Sequence, residues 1–108
     1  MRMEDCIFCK LIKHEVPSKI VAENEHVLVF ENIEPKAPIH WLIIPKVHYD
    51  DARSLPDDIW VALRHMASSL MLEHAHSGAR LVANVGDAAA VHHMHMHYLA
   101  GITPQSHV

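Results

Sequence analysis

Three histidines alternate with apolar residues near the C-terminal end of the chain, at His93, His95 and His97. Side chains on a β-strand point alternately to opposite faces, so these imidazoles are predicted to project from one face of a strand. The intervening methionines and tyrosine would then face a core. A neutral imidazole can attack phosphorus, and a neighbouring imidazolium can stabilise phosphate charge or protonate a leaving group. The spacing therefore predicts phosphate chemistry or metal binding on this strand.

A second group of potentially reactive residues lies at the N-terminal end, where Cys6 and Cys9 form a Cys-x-x-Cys pair. One such pair in a reducing compartment favours metal or redox chemistry over a structural disulfide. The plainer interpretation is two reduced thiols packed in an N-terminal knuckle. The spacing alone leaves both interpretations open.

Composition limits the class of protein. The chain has 108 residues, of which 50% are hydrophobic, and a net charge of −4 with histidine neutral. That size predicts one domain over residues 1–108, and scattered basic residues on an acidic chain argue against nucleic-acid binding. No apolar run resembles a signal peptide or a membrane span. We expect a soluble, cytoplasmic protein that binds neither nucleic acid nor membrane.

The elements that must position these side chains follow from hydrophobic patterning. A helix is predicted from Ser54–Pro56 to a stop at Gly78, because apolar residues recur at helical spacing and two aspartates follow Pro56. A short apolar segment at 6–11 predicts one helical turn. The predicted strands cover residues 20–22, 26–30, 40–45, 80–85 and 91–99. We therefore expect an α+β domain whose antiparallel sheet of about five strands is covered by the main helix on one side.

The segment His93-Met94-His95-Met96-His97-Tyr98-Leu99 resembles the signature of the histidine triad (HIT) superfamily, in which three histidines alternate with hydrophobic residues. Other segments resemble its Hint-like, protein-kinase-C-interacting branch in the same order along the chain. These segments are residues 6–10, 25–33, 38–48 and 84–86. The resemblance implies a HIT-like fold.

The resemblance also implies an activity and roles for the histidines. His95 would be the nucleophile that takes a nucleotidyl group from the α-phosphate, and His97 would bind phosphate oxygens. His40 and His93 would orient and polarise the cluster, and Asn84 would lie near the phosphates. The implied reaction is hydrolysis of purine nucleoside phosphoramidates or related nucleotidyl compounds, without a catalytic cofactor.

A purine pocket is implied by the same resemblance, and it would take an AMP- or GMP-like nucleotide. Its hydrophobic residues would be Phe8, Ile12, Phe30 and Ile33. Asn32 occupies a position where the family commonly carries aspartate to hold ribose hydroxyls. An amide can still donate and accept hydrogen bonds there.

In several bacterial HIT proteins similar to this chain, a Cys-x-x-Cys pair and two histidines bind structural zinc. The matching residues here are Cys6, Cys9, His48 and His93, a donor set suited to tetrahedral zinc. This implication makes His93 a structural ligand as well as a member of the triad.

The chain departs from the family pattern just before the triad. Ala89 and Ala90 stand where the family often has glutamine and serine, whose side chains hold phosphate oxygens or help the leaving amine. We expect a retained hydrolase that is slow or differently selective, with Ala90 beside the substrate. A nucleotide- or partner-binding module with little turnover and a metal-storage protein remain alternatives. The resemblance also implies a homodimer formed by the main helix and the strand around Leu81.

Overall fold

A five-stranded antiparallel sheet forms the centre of the molecule. The structure, a computed structural model, describes residues 5–108; residues 1–4 of the predicted domain lie outside the described range. Single 3-10 turns lie at Ala52–Ser54 and Gly86–Ala88. The helices and strands are α1 (Ile7–Ile12), β1 (Ile20–Glu23), β2 (Val27–Glu31), β3 (Ile39–Pro45), α2 (Asp57–Glu73), β4 (Ala79–Val82) and β5 (Met96–Ala100). The predicted α+β class, with a main helix and a short N-terminal helix, is confirmed.

The strand order β1-β2-β3-β5-β4 places β5 between β3 and β4. In the β3–β5 register, His40 lies opposite Leu99 and Leu42 lies opposite His97. Because opposite residues share a face and alternate residues return to it, His40 and His97 project from the same side as diagonal neighbours. The sheet therefore brings together two histidines that lie 57 residues apart in the sequence.

The sheet buries apolar side chains on both faces. Trp41, Ile43 and Tyr98 pack against the apolar stripe of α2, where Leu63, Met66 and Leu70 recur at helical spacing. Their neighbours on the opposite face belong to a second cluster that packs against α1. That cluster contains Cys6, Phe8, Cys9, Leu11, Leu28, Phe30, Leu42 and Ile44. The prediction that the main helix covers one side of the sheet is confirmed, and α1 covers part of the other side.

Two predicted boundaries differ from the structure. Helix α2 ends at Glu73 instead of Gly78, and Ala75 adopts a left-handed conformation with φ of 54°. The apolar stripe stops at Leu70, and Leu72 is already exposed, so a longer helix would have no core to cover. Among residues 5–108, no helix is long and apolar enough to cross a membrane.

The last strand is also shorter than predicted, since β5 begins at Met96 and not at residue 91. Continued past Ile43 and Met96, the register would place Ile44 opposite His95 and Pro45 opposite Met94, but proline has no N–H to donate. The Met94 N–H donates instead to the carbonyl of Tyr49 at 2.6 Å. Residues 91–95 are consequently held by loop and side-chain contacts, not by strand pairing.

Candidate active site and metal centre

An apolar pocket of about 390 Å³ lies between α1 and the sheet. Phe8 and Phe30 form part of its wall, in edge-to-face contact with ring centroids 5.5 Å apart. His95 and His97 close one end, and Asn32 lies at the polar margin. An apolar slot with a few polar groups at one end is suited to a flat ring that carries a charged substituent.

His95 has one ring nitrogen fixed by the main chain. Its Nδ1 lies 2.8 Å from the carbonyl oxygen of His93. A carbonyl can only accept, so Nδ1 carries the proton and Nε2 of the neutral ring keeps its lone pair. Nε2 has no hydrogen-bond partner in the part of the chain that the structure describes. Burial lowers the pKa of His95, which favours the neutral form and leaves Nε2 available as a nucleophile.

A chain of hydrogen bonds sets the protonation of the other two imidazoles. The Lys36 backbone N–H donates to Nδ1 of His40 at 3.0 Å, so the neutral His40 ring carries its proton on Nε2. That Nε2 lies 2.9 Å from Nδ1 of His97 and donates to it. His97 must then carry its own proton on Nε2. The main chain thus makes His97 a hydrogen-bond donor at its free nitrogen.

Burial keeps this pair neutral. Desolvation lowers the pKa of His97 to about 4, with smaller contributions from His95 and His40. Desolvation, followed by the nearby Lys36 ammonium, lowers the pKa of His40. The rings of His95 and His97 lie edge to face with centroids 5.1 Å apart. One ring therefore offers a lone pair beside another that offers an N–H.

Asn32 contacts the same pair. Its Oδ1 accepts the Glu34 backbone N–H at 2.9 Å, which fixes the amide orientation. Its Nδ2 lies 3.3 Å from Nε2 of His40. Since that Nε2 already carries a hydrogen, it cannot accept from Asn32. The amide N–H groups of Asn32 are therefore left to donate to a ligand in the pocket.

The two cysteines and two histidines converge behind this pocket. Cys6 caps the N-terminus of α1 and Cys9 lies in its first turn, so both sulfurs face one side of the helix. His48 follows β3 and His93 precedes β5. The ligand atoms of the four residues all lie within 4.8 Å of one another.

The distances within this cluster match a tetrahedral centre. Nδ1 of His93 lies 3.4 Å from Sγ of Cys6 and 3.6 Å from Sγ of Cys9. Nδ1 of His48 lies 3.3 Å from Sγ of Cys9. Ordinary Zn–S and Zn–N bond lengths at a tetrahedral angle separate sulfur and nitrogen by roughly 3.6 Å. The cluster has the donor types and spacing of a zinc site.

Hydrogen bonds turn both imidazoles toward the sulfurs. Nε2 of His93 donates to the carbonyl of Pro45 at 2.9 Å, and Nε2 of His48 donates to the Asp50 carboxylate at 3.1 Å. Each Nδ1 lone pair is thereby left for a cation, the arrangement usual for metal-bound histidine. Burial lowers the pKa of His93 to about 4. Burial, with the neighbouring Cys6, raises the pKa of Cys9 to about 11, and a bound cation would reverse this by stabilising the thiolate.

Sequence reasoning missed a buried carboxylate that joins two loops. Asp51 is 3% exposed and accepts hydrogen bonds from the backbone and guanidinium of Arg53. It also accepts the Gly86 backbone N–H at 3.0 Å, which ties the loop after β3 to the loop before the triad. The Arg53 guanidinium holds the pKa of the Asp51 carboxyl well below its usual range. An aspartate that can cap the turn at 52–54 was the available signal, but nothing in the sequence indicates Gly86 as its partner.

The remaining predicted residues divide between the pocket and its surroundings. Ile12 packs against the α1 cluster, but Ile7 and Leu11 of the same helix line the pocket instead. Asn84 follows β4 and is not part of the pocket wall, whereas Ala89 is buried nearby. The predicted substrate-binding residues that do line the pocket are Phe8, Phe30, Asn32, Ile33 and Ala90.

Two histidines after α2 contact the opposite face of the sheet, although His74 itself is exposed. The His74 and His76 rings lie against Trp41, with centroids 4.9 and 5.5 Å from it. Nδ1 of His76 is 2.8 Å from the hydroxyl of Tyr98, which is fully buried. His76 therefore satisfies a buried polar group.

An antiparallel sheet that carries neutral imidazoles at the end of an apolar pocket is the arrangement expected of a histidine triad protein. Residues 13–103 match the HIT domain family, and the chain belongs to that family. The predicted superfamily is therefore confirmed.

Individual relatives agree with this assignment. An uncharacterized HIT-like protein of Methanocaldococcus jannaschii is 36% identical over 99 residues, covering 87% of this chain and 77% of its own. The structure of a HIT family hydrolase from Clostridium thermocellum has a TM-score of 0.90 at 35% identity and covers 99% of both chains. A zinc-bound histidine triad family protein from Mycobacterium smegmatis has a TM-score of 0.85 at 23% identity, covering 96% of this chain and 80% of its own, which shows a shared fold.

Proposed function

We propose that this protein is a hydrolase that cleaves purine nucleoside phosphoramidates, or related nucleotidyl compounds, through a nucleotidyl group on His95. The observation that carries the proposal is the hydrogen bond from His95 Nδ1 to the carbonyl of His93, which leaves an unprotonated Nε2 at an apolar pocket. The similar protein from Clostridium thermocellum is described as a HIT family hydrolase.

In the proposed reaction the purine occupies the slot beside Phe8 and Phe30, and the Asn32 amide donates to the ribose. Nε2 of His95 attacks the α-phosphorus, and the bond from phosphorus to the leaving nitrogen breaks. The amine departs with that electron pair and takes a proton from water. The Nε2–H of His97 donates to a non-bridging oxygen as its charge grows. A water molecule then attacks the phosphorus, releases the nucleotide and regenerates His95.

Ala89 and Ala90 set the expected rate. Neither side chain can donate a hydrogen bond to phosphate or a proton to the amine. Loss of one such donor lowers turnover by roughly a hundredfold or more. We therefore propose slow turnover relative to family members with glutamine and serine there. The same two alanines favour the second candidate function, a nucleotide-binding module with little catalysis.

The decisive test compares wild-type protein with His95→Ala on adenosine 5′-phosphoramidate. Release of AMP should fall by about 10⁴-fold or more in the variant, since the covalent route is lost. AMP binding, measured by calorimetry, should persist in both proteins. His26→Gln alters an exposed imidazole outside the pocket and should behave as wild type. If wild type and His95→Ala are equally inert but still bind AMP, the binding-module function is the correct one.

We also propose that Cys6, Cys9, His48 and His93 bind one structural zinc ion per chain. The donor spacing and the hydrogen bonds that orient both imidazoles support this site. Zinc would hold α1, the loop after β3 and the segment before β5 together. Among the described residues this is the one cluster of at least three such ligands. That fact argues against metal storage, which would require several ions per chain.

A homodimer is proposed on the helix and strand expected from the sequence. The side chains of Trp60, Val61 and Leu81 are between 41% and 45% exposed. Leu81 lies on β4, an edge strand that pairs with β5 on one side and is open on the other. An exposed apolar patch beside an open strand edge gains free energy when a second copy covers it. Light scattering at micromolar concentration should give a dimer mass for wild type and a monomer mass for Leu81→Arg. A monomeric wild type would contradict the proposal.

A further inference from the structure

One residue belongs to both the metal cluster and the proposed active site. The His93 ring directs Nδ1 at the two sulfurs. The main-chain carbonyl of the same residue accepts a hydrogen bond from Nδ1–H of His95. We propose that His93 is a positioning residue: a Zn²⁺ ion held by its ring fixes the carbonyl that selects the reactive tautomer of His95, so zinc and nucleotide strengthen each other's binding. The inference rests on the proposed function, because it assigns a means of control to the same nucleophile.

The local backbone explains why the ring can control the carbonyl. Residues 91–95 lie before β5 and have no ladder pairing that would fix them independently. Besides apolar packing, three polar contacts hold this segment to the rest of the molecule. They are the His93 ring in the cysteine cluster, its Nε2 on the Pro45 carbonyl, and the Met94 N–H on the Tyr49 carbonyl. Since the ring supplies two of the three, loosening it loosens the peptide that His95 depends on.

Of these contacts, removal of the cation most weakens the one between the His93 ring and the two cysteines. Without metal, Nδ1 of His93 has only thiol partners at 3.4 and 3.6 Å, and thiols form weak hydrogen bonds. With metal, the same nitrogen forms a coordinate bond of fixed length and direction. The His93 carbonyl lies 2.8 Å from Nδ1 of His95, so displacement of the His93 peptide reaches the imidazole directly.

The inference predicts a reciprocal effect on binding. If zinc raises the affinity for AMP by some factor, AMP must raise the affinity for zinc by the same factor. We expect a factor of about 5 to 100, within the usual range of coupling between two sites. A role for zinc in holding α1 alone would leave nucleotide affinity unchanged while the protein stays folded.

The experiment titrates AMP into zinc-loaded and chelator-treated wild-type protein by calorimetry, and titrates zinc with and without AMP. Nitrogen NMR of the imidazoles at neutral pH follows the His95 tautomer in both forms. We expect matching affinity changes, and a change from one Nδ1–H tautomer with zinc to a mixture without it. Equal AMP affinities within twofold, with an unchanged tautomer, would overturn the inference. If zinc-loaded protein binds no AMP, the proposed function fails, and the NMR comparison still decides the coupling.

Variants separate the cluster from the carbonyl. Cys9→Ser removes one metal ligand but keeps the His93 ring and peptide, so in excess zinc it should show the weaker AMP affinity of metal-free protein. His26→Gln should show the wild-type value. Should metal loss unfold the chain, cobalt-loaded wild type gives a direct reading. AMP should alter the visible absorption of the cobalt centre, and an unchanged spectrum with AMP bound would contradict the coupling.

Discussion

The two faces of the sheet use histidine in different ways. On the α1 face, main-chain groups fix one nitrogen of His95 and direct the other nitrogen toward a pocket. On the α2 face, Nδ1 of His76 meets the buried hydroxyl of Tyr98 and the ring packs on Trp41, and His76 does not line that pocket. Both regions combine imidazoles with aromatic rings. The comparison teaches that a chemical role requires a free nitrogen and a space for a ligand, and that histidine content alone indicates neither.

The largest expected effect is loss of zinc from the α1 face. At a free zinc concentration a thousand times its Kd, binding stabilises the native state by about 4 kcal/mol. Treatment with a chelator should therefore lower the free energy of unfolding by about that amount, measured by urea titration. The same chelator presaturated with zinc is the control. Unchanged stability, with no zinc found by elemental analysis, would show that the cluster is only a packed pair of thiols.

Next in size is a matched pair of substitutions, one on each face. His97→Phe removes the N–H that the proposed mechanism directs at phosphate, so kcat/KM should fall by roughly a hundredfold or more. His76→Phe should leave kcat/KM within about twofold, since the His76 ring contacts Tyr98, Trp41 and His74, none of which lines the pocket. It should instead destabilise the protein by about 1–3 kcal/mol, because the Tyr98 hydroxyl loses its partner in the core. Steady-state kinetics and urea unfolding on both variants test this contrast, which fails if His76→Phe loses activity as well.

The smallest expected effect concerns Asp51, which joins the loops at the edge of the α1 face. The folded-state pKa of Asp51 is depressed, so its contribution to stability is present above the unfolded pKa of about 3.9 and declines as pH falls below it. Asp51→Asn should be less stable than wild type at pH 7, and the difference should shrink at pH 3. Urea unfolding at the two pH values measures this. A difference that does not depend on pH would assign the effect to packing.

Much of the architecture could be predicted because it depends on local patterns. Alternation of polar and apolar residues indicated a strand that carries His97, although His93 and His95 lie before it. The Cys-x-x-Cys pair, together with the family resemblance, indicated four residues that could hold a metal. The predicted end of α2 at Gly78 is too late, because a glycine does not extend a helix whose apolar stripe has already stopped at Leu70. The tautomers of His40, His95 and His97 could not be predicted from the sequence. They depend on main-chain groups brought close only by the folded sheet, including a backbone N–H at Lys36.

Pro45 has a consequence for how the first histidine of the triad is held. Pairing between β3 and β5 runs as far as Ile43 and Met96. Two residues beyond Ile43 the strand reaches a proline, which has no N–H to donate, and the Pro45 carbonyl is bonded to the His93 imidazole. A single imino acid thus leaves the approach to the triad outside the sheet, where side-chain contacts and not ladder bonds set the direction of the peptides.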